Sequence, residues 1–169
     1  FWNSQMFERR PNRWEEWVSE GLSNLYADRA LLELGVIDQQ GYRDQLAERG
    51  RSCVEKWDGG PLLEGERPYG AWYDCGELIL ARLDHQLQAS DDSLDRVLHD
   101  TWVRSEADGS WSTHTLLETV QERHGAASIG WITDALWAGP REPVPGLVAA
   151  WLTELDASPR PVRPDRHSR

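Results

Sequence analysis

Arg13-Trp14-Glu15-Glu16-Trp17-Val18-Ser19-Glu20-Gly21-Leu22-Ser23-Asn24-Leu25-Tyr26-Ala27-Asp28-Arg29-Ala30-Leu31-Leu32-Glu33-Leu34 is the stretch that decides the fold class. Trp14, Val18, Leu22, Leu25 and Leu32 recur at the intervals of one helix face, not at the alternation of a strand. Gly35 follows as a stop signal. The spacing predicts a helix from about Arg13 to Leu34.

The same period continues outward from it. A second helix is predicted from about Gln39 to Trp57, with Asp38 as its N-cap. Residues 58–70 carry the glycines and prolines of a loop. A third helix covers roughly Ala71 to Gln88, with Trp72, Gly76, Ile79 and Leu83 on one side. Ser90-Asp91-Asp92 is expected to open a fourth, because a Ser cap and early acids suit the helix dipole. It should run to about Ser105 and end in the turn Ala107-Asp108-Gly109. A fifth begins at Ser112 or Thr115, where Thr115 and Glu118 have capping-box spacing, and closes near Gly125. Shorter helices follow at about Ala127–Trp137 and Pro145–Leu155. The expected fold is all-α, an irregular bundle of about six to seven helices. No internal repeat of constant period is visible. One helical domain over 1–157 is expected, with 158–169 as a Pro/Arg-rich disordered tail that has little to bury.

Composition narrows the function classes. With 18 basic and 29 acidic residues the net charge is −11, and Lys occurs only at Lys56. No basic patch exists within the helical region, which argues against nucleic acid as a partner. No apolar run approaches the roughly 18 residues of a membrane span. The ten Trp against two Phe supply large apolar surfaces for a core. Cys53 and Cys75 have no metal-ligand spacing; both fit buried positions, either as free thiols or as a disulfide. No signal peptide is expected in this stretch, and the compartment stays open. The opening at Phe1-Trp2-Asn3, not at Met, is what a piece with further sequence upstream would show.

Two glycines stand inside predicted helices, where Gly costs about 1 kcal/mol relative to Ala. Gly21 follows Glu20, and Gly76 lies three residues after Tyr73. Either tight helix packing or the close approach of a ligand or metal would explain them. Gly130 is a third such glycine, with no chemical neighbour. Glu16 and Glu20, four apart, share a helix face. The five histidines are dispersed, form no His-x-x-x-His pair, and read as surface or capping residues.

These residues also match a family pattern. Phe1-Trp2-Asn3, Trp17-Val18-Ser19-Glu20-Gly21, Tyr26-Ala27-Asp28 and Tyr73-Asp74-Cys75-Gly76 occur in the order seen in glycyl aminopeptidase-like zinc peptidases, as does Leu78-Ile79-Leu80-Ala81-Arg82-Leu83-Asp84. The region resembled is the part of these gluzincins that follows the HExxH helix. Asp108-Gly109-Ser110-Trp111-Ser112 and the helix after it resemble the family's closing helices more loosely, so the resemblance spans about residues 1–155. Cys75 stands where the family has Lys, and HExxH is absent from the chain.

The resemblance implies a thermolysin-type C-terminal helical region. It implies Glu20 as the third ligand of a catalytic Zn2+ and Tyr73 as donor to the tetrahedral oxyanion. A phenol suits that role, being a neutral donor at pH 7. Two histidines and a general-base Glu would come from HExxH upstream. The expected partners are a peptide substrate and the remaining N-terminal catalytic region. Alone, the chain is expected to bind no zinc and to be inactive. Two other readings stay open: a non-catalytic helical interaction domain descended from such a peptidase, and a helical carrier with a large enclosed pocket remote from Glu20.

Overall fold

The computed structural model describes residues 15–63, 70–108 and 111–157. The expectations for Phe1-Trp2-Asn3, for the first residues of the first helix, for Gly109-Ser110, for His167 and for the tail lie outside these residues. The described chain is all-α. In order come α1 (Glu16–Glu33), α2 (Gln39–Lys56), α3 (Ala71–Gln88), α4 (Leu94–Asp108), α5 (Thr113–His124), the short α6 (Gly130–Thr133) and α7 (Val144–Ala157). A 3-10 turn (Ala126–Ser128) leads into α6 and a π-helical segment (Asp134–Ala138) continues it. No strand occurs among the described residues.

α3 is the hub. Trp72, Cys75, Leu78, Ile79, Leu80, Leu83 and Leu87 are all buried, so apolar residues line most of its circumference. A helix apolar nearly all round must be surrounded, and α1, α2, α4 and α7 all pack on it. α1 runs parallel to α3: Gly21 meets Gly76, and eight residues on in both helices Arg29 pairs with Asp84 at 2.5 Å. α2 runs antiparallel, since Lys56, Cys53 and Arg49 meet Asp74, Cys75 and Glu77 in turn. Cys53 and Cys75 form a disulfide across this pair, with Cα atoms 5.0 Å apart.

α7 closes the bundle over α2 and α3. Gly50 admits Leu152, whose Cδ1 would lie 2.7 Å from an added Cβ. Trp151 is buried between Trp57 and Trp131, with ring centroids 6.3 and 5.3 Å away. The Arg82 guanidinium stacks 4.2 Å over Trp131, and its Nε donates to Glu154 at 2.8 Å. The loop before α3 caps the π segment: Leu62 N–H donates to Ala135 O at 2.9 Å and Leu63 N–H to Leu136 O at 3.0 Å.

Several helix ends follow the sequence reading and two depart from it. Asp38 caps α2, accepting from Gly41 N–H at 2.8 Å. Gly125, at φ 84°, ends α5. α4 starts at Leu94, not at Ser90: Asp91 has φ 56° and turns the chain there. The free N–H of Leu94 is taken by Asp84 of α3 at 2.8 Å, and Ser93 Oγ accepts from Arg96 N–H at 3.3 Å. Tertiary capping thus moved the start, and α4 continues through Ala107 and Asp108, where a turn was expected. α5 is capped by Ser112, which accepts from Thr115 N–H at 3.1 Å. Thr115 is therefore inside the helix, and Glu118 pairs with His114 instead of closing a capping box.

Candidate functional site

Glu20 lies in the second turn of α1, on the helix that buries Trp17, Val18, Gly21, Leu22 and Leu25. One residue on, α1 crosses α3 backbone to backbone. A Cβ on Gly21 would sit 2.5 Å from the carbonyl carbon of Gly76, and one on Gly76 would overlap the Trp17 carbonyl oxygen. The two interior glycines are thus explained by one helix crossing. Gly130 has nothing within 4 Å of its Cβ position and is explained by no contact.

Tyr73 is one turn before Gly76 on α3, and Glu20 is one residue before Gly21 on α1. Because the helices are parallel, both residues belong to the N-terminal side of the same crossing. Glu20 and Tyr73 are both partly buried. The Glu20 carboxylate has no hydrogen bond or ion pair to any described residue, and the same holds for Glu16 and Glu33 on α1, while Asp74 and Asp84 of α3 are ion-paired. Asp74, next to Tyr73, is held by Lys56 Nζ at 2.7 Å and Ser52 Oγ at 2.6 Å. Glu16, one turn before Glu20, is also partly buried.

Glu20 suits one corner of a metal site, as an anionic oxygen on a rigid helix. Among the described residues no group of three or more His, Cys, Asp or Glu side chains converges for a metal ion. His99 and His114 are exposed beside Asp100 and Glu118. His124 Nε2 is 2.7 Å from Asp92, which Arg123 also contacts at 2.8 Å. Burial alone would raise the Asp92 carboxyl, but the Ser93 N–H, His124 and Arg123 together hold it below the usual carboxylate range. These are contacts that join α4 to α5, and none reaches Glu20.

A half-open groove of about 420 Å³ runs between α2, α3 and α7, lined by Arg29, Tyr42, Leu46, Asp84, His85 and Leu155 among others. Glu20 is not part of it. It is not the enclosed cavity that a carrier function calls for, and its acids Asp84 and Asp156 are paired with Arg29 and Arg43.

The sequence reading missed a buried polar seam. Asp28, Asp74 and Glu77 are 5%, 3% and 0% exposed, where α1, α2 and α3 meet. Their signal was faint: acids at 74 and 77 share a helix face with Cys75 and Leu78 close by, but only α2 packing against them reveals that the face is inward. No described helix is long and apolar enough to cross a membrane. Comparison with family models, with curated proteins and with solved structures finds no match.

Proposed function

We propose that the chain is the C-terminal helical portion of a zinc-dependent aminopeptidase that removes small N-terminal residues, Gly or Ala, from peptides. Glu20 is the third zinc ligand in this reading, and Tyr73 donates a hydrogen bond to the oxyanion of the tetrahedral intermediate. The observation that carries it is a partly buried, unpaired Glu20 carboxylate beside the Gly21–Gly76 crossing, to which α3 also brings the Tyr73 turn. Unpaired carboxylates are costly away from water and usually acquire partners. An HExxH segment upstream provides the two histidines and the general base. Zinc, when bound, polarises the scissile carbonyl and acidifies the attacking water.

What this chain's own residues do is narrower. α1, packed against α3 without Cβ atoms at Gly21 and Gly76, fixes the backbone that carries Glu20. The backbone of Tyr73 is tied to α2 through the two residues that follow it, the ion-paired Asp74 and the disulfide-bonded Cys75. A rigid donor costs little reorganisation when charge develops.

The test is hydrolysis of glycyl and alanyl anilides by the isolated chain and by the protein that includes its upstream region. The isolated chain should be inactive with added zinc. The longer protein should be active and lose activity to a chelator. Glu20→Gln should release its zinc, and Tyr73→Phe should lower kcat by about 10²- to 10³-fold with zinc content unchanged. Activity that survives Glu20→Gln, or hydrolysis by the isolated chain, overturns the assignment. An upstream segment in which the HExxH histidines or Glu are replaced would make the domain a non-catalytic interaction scaffold instead.

A further inference from the structure

Three carboxylates and two cations share the seam between α1, α2 and α3. Asp74 takes most of the positive charge, from Lys56 at 2.7 Å and Arg49 at 3.5 Å, with Ser52 donating as well. Glu77, at 0% exposure, is left with Arg49, whose Nε approaches Oε2 to 3.0 Å but off the line of a hydrogen bond. Both buried Glu77 oxygens therefore lack a donor. Asp28 of α1 faces Glu77, and its other contact is the Gln45 amide of α2, whose nitrogen donates to the two carboxylate oxygens at 3.2 and 3.3 Å. One negative charge is in excess among three carboxylates that are themselves 5% exposed or less, although Arg49 and Lys56 reach them from the surface. An uncompensated buried charge neutralises itself by taking up a proton. A proton on Glu77 removes the excess and at the same time supplies the O–H donor that Asp28 can accept.

We propose that Asp28 and Glu77 hold one shared proton across the α1–α3 seam near neutral pH, and that its loss in alkaline solution loosens α1 from α2 and α3. This inference does not draw on zinc or on the role of Glu20. The groups facing Glu77 are Asp28 from α1, Arg49 from α2 and Asp74 from α3; Gln45 reaches it through Asp28, and Lys56 and Ser52 through Asp74. Burial, then the Asp28 charge, push the Glu77 carboxyl up to about 8, against the opposing pull of Arg49. The seam has no slack: a Cβ on Gly21 would lie 2.7 Å from the backbone nitrogen of Glu77, so repulsion between the two acids acts directly on the crossing.

The sign follows from proton linkage. Glu77 binds its proton more tightly in the folded chain than in the unfolded one, where its ordinary value is 4.5. Its contribution to stability is complete below that value, falls as pH rises, and is gone above about 8. One linked proton raises the unfolding constant about tenfold per pH unit across that window.

The experiment is urea unfolding of the wild-type chain and of Glu77→Gln between pH 5 and 9, without reductant. The Gln keeps a donor for Asp28 and cannot ionise. The ratio of wild-type to variant unfolding constants should climb about tenfold per pH unit to near pH 8 and then level; a ratio constant with pH overturns the proposal. If the variant does not fold, carbon-13 NMR of the wild-type carboxyls decides: one should titrate near 8, and midpoints all below 6 overturn it. Asp28→Asn should lower that midpoint, and an unchanged midpoint refutes the sharing. Trp17, whose indole N–H donates to Thr113 at 3.1 Å, reports on α1. Its indole resonance should follow the same titration; one that stays still while the carboxyl titrates refutes the loosening.

Discussion

A hydrogen atom in place of a methyl group decides how closely α1 approaches α3. At Gly21 the added Cβ meets only backbone atoms of Gly76 and Glu77, which have no rotamer to change. Gly21→Ala or Gly76→Ala must push the helices apart, and each should cost about 3 kcal/mol in urea unfolding, the upper end of overpacking penalties. Gly146, inside α7 with nothing within 4 Å of its Cβ position, is the control. Gly146→Ala should stabilise by about 0.5–1 kcal/mol through helix propensity. Equal effects at the two kinds of site would refute the close-crossing account. At this scale the sequence was informative about position and silent about partner. Gly21 and Gly76 stood out because glycine is disfavoured in helices, yet nothing in either segment says that they meet each other. Glu77 stood out not at all, because an acid on a helix looks the same whether the next helix covers it or water does.

At the scale of elements, the apolar period located α2 and α3 to within a residue, since both have strong local boundaries: Asp38 before one and a loop rich in Gly and Pro before the other. α4 and α5 were less legible at their starts. Ser90 is a plausible cap by type, but the group that accepts from Leu94 N–H is Asp84 on α3, ten residues upstream; for α5 the sequence offered Ser112 or Thr115, and Ser112 is the cap. The cysteines were open between two states until α2 was laid antiparallel on α3. Their bridge closes a separation of 22 residues. A loop of that length should contribute about 3 kcal/mol through the unfolded chain. Cys53→Ala with Cys75→Ala, or reduction before unfolding, should lower the urea midpoint accordingly while leaving the helical circular dichroism in place. An unchanged midpoint would mean that the packing of α2 on α3 carries the whole effect.

Across the whole molecule, closure depends on the last helix. α7 covers Gly50 on α2, pairs with Arg82 and Gln86 on α3, and inserts Trp151 between Trp57 and Trp131. Trp151→Ala should cost about 3–5 kcal/mol, as expected for emptying a large buried aromatic site. Unfolding followed by tryptophan fluorescence and by circular dichroism should then separate into two transitions in the variant and coincide in the wild type. Sequence alone determined that the chain is all-α, roughly where its helices lie, and that it is acidic with a Trp-rich core, because local period, caps and breakers act within a few residues. Only the tertiary structure decided that α1 and α3 run parallel with two glycines in contact, that the cysteines are bonded, and that three acids are buried in one seam. Those facts depend on which helix covers which face, and such contacts join residues from 18 to 55 positions apart that carry no local mark of one another.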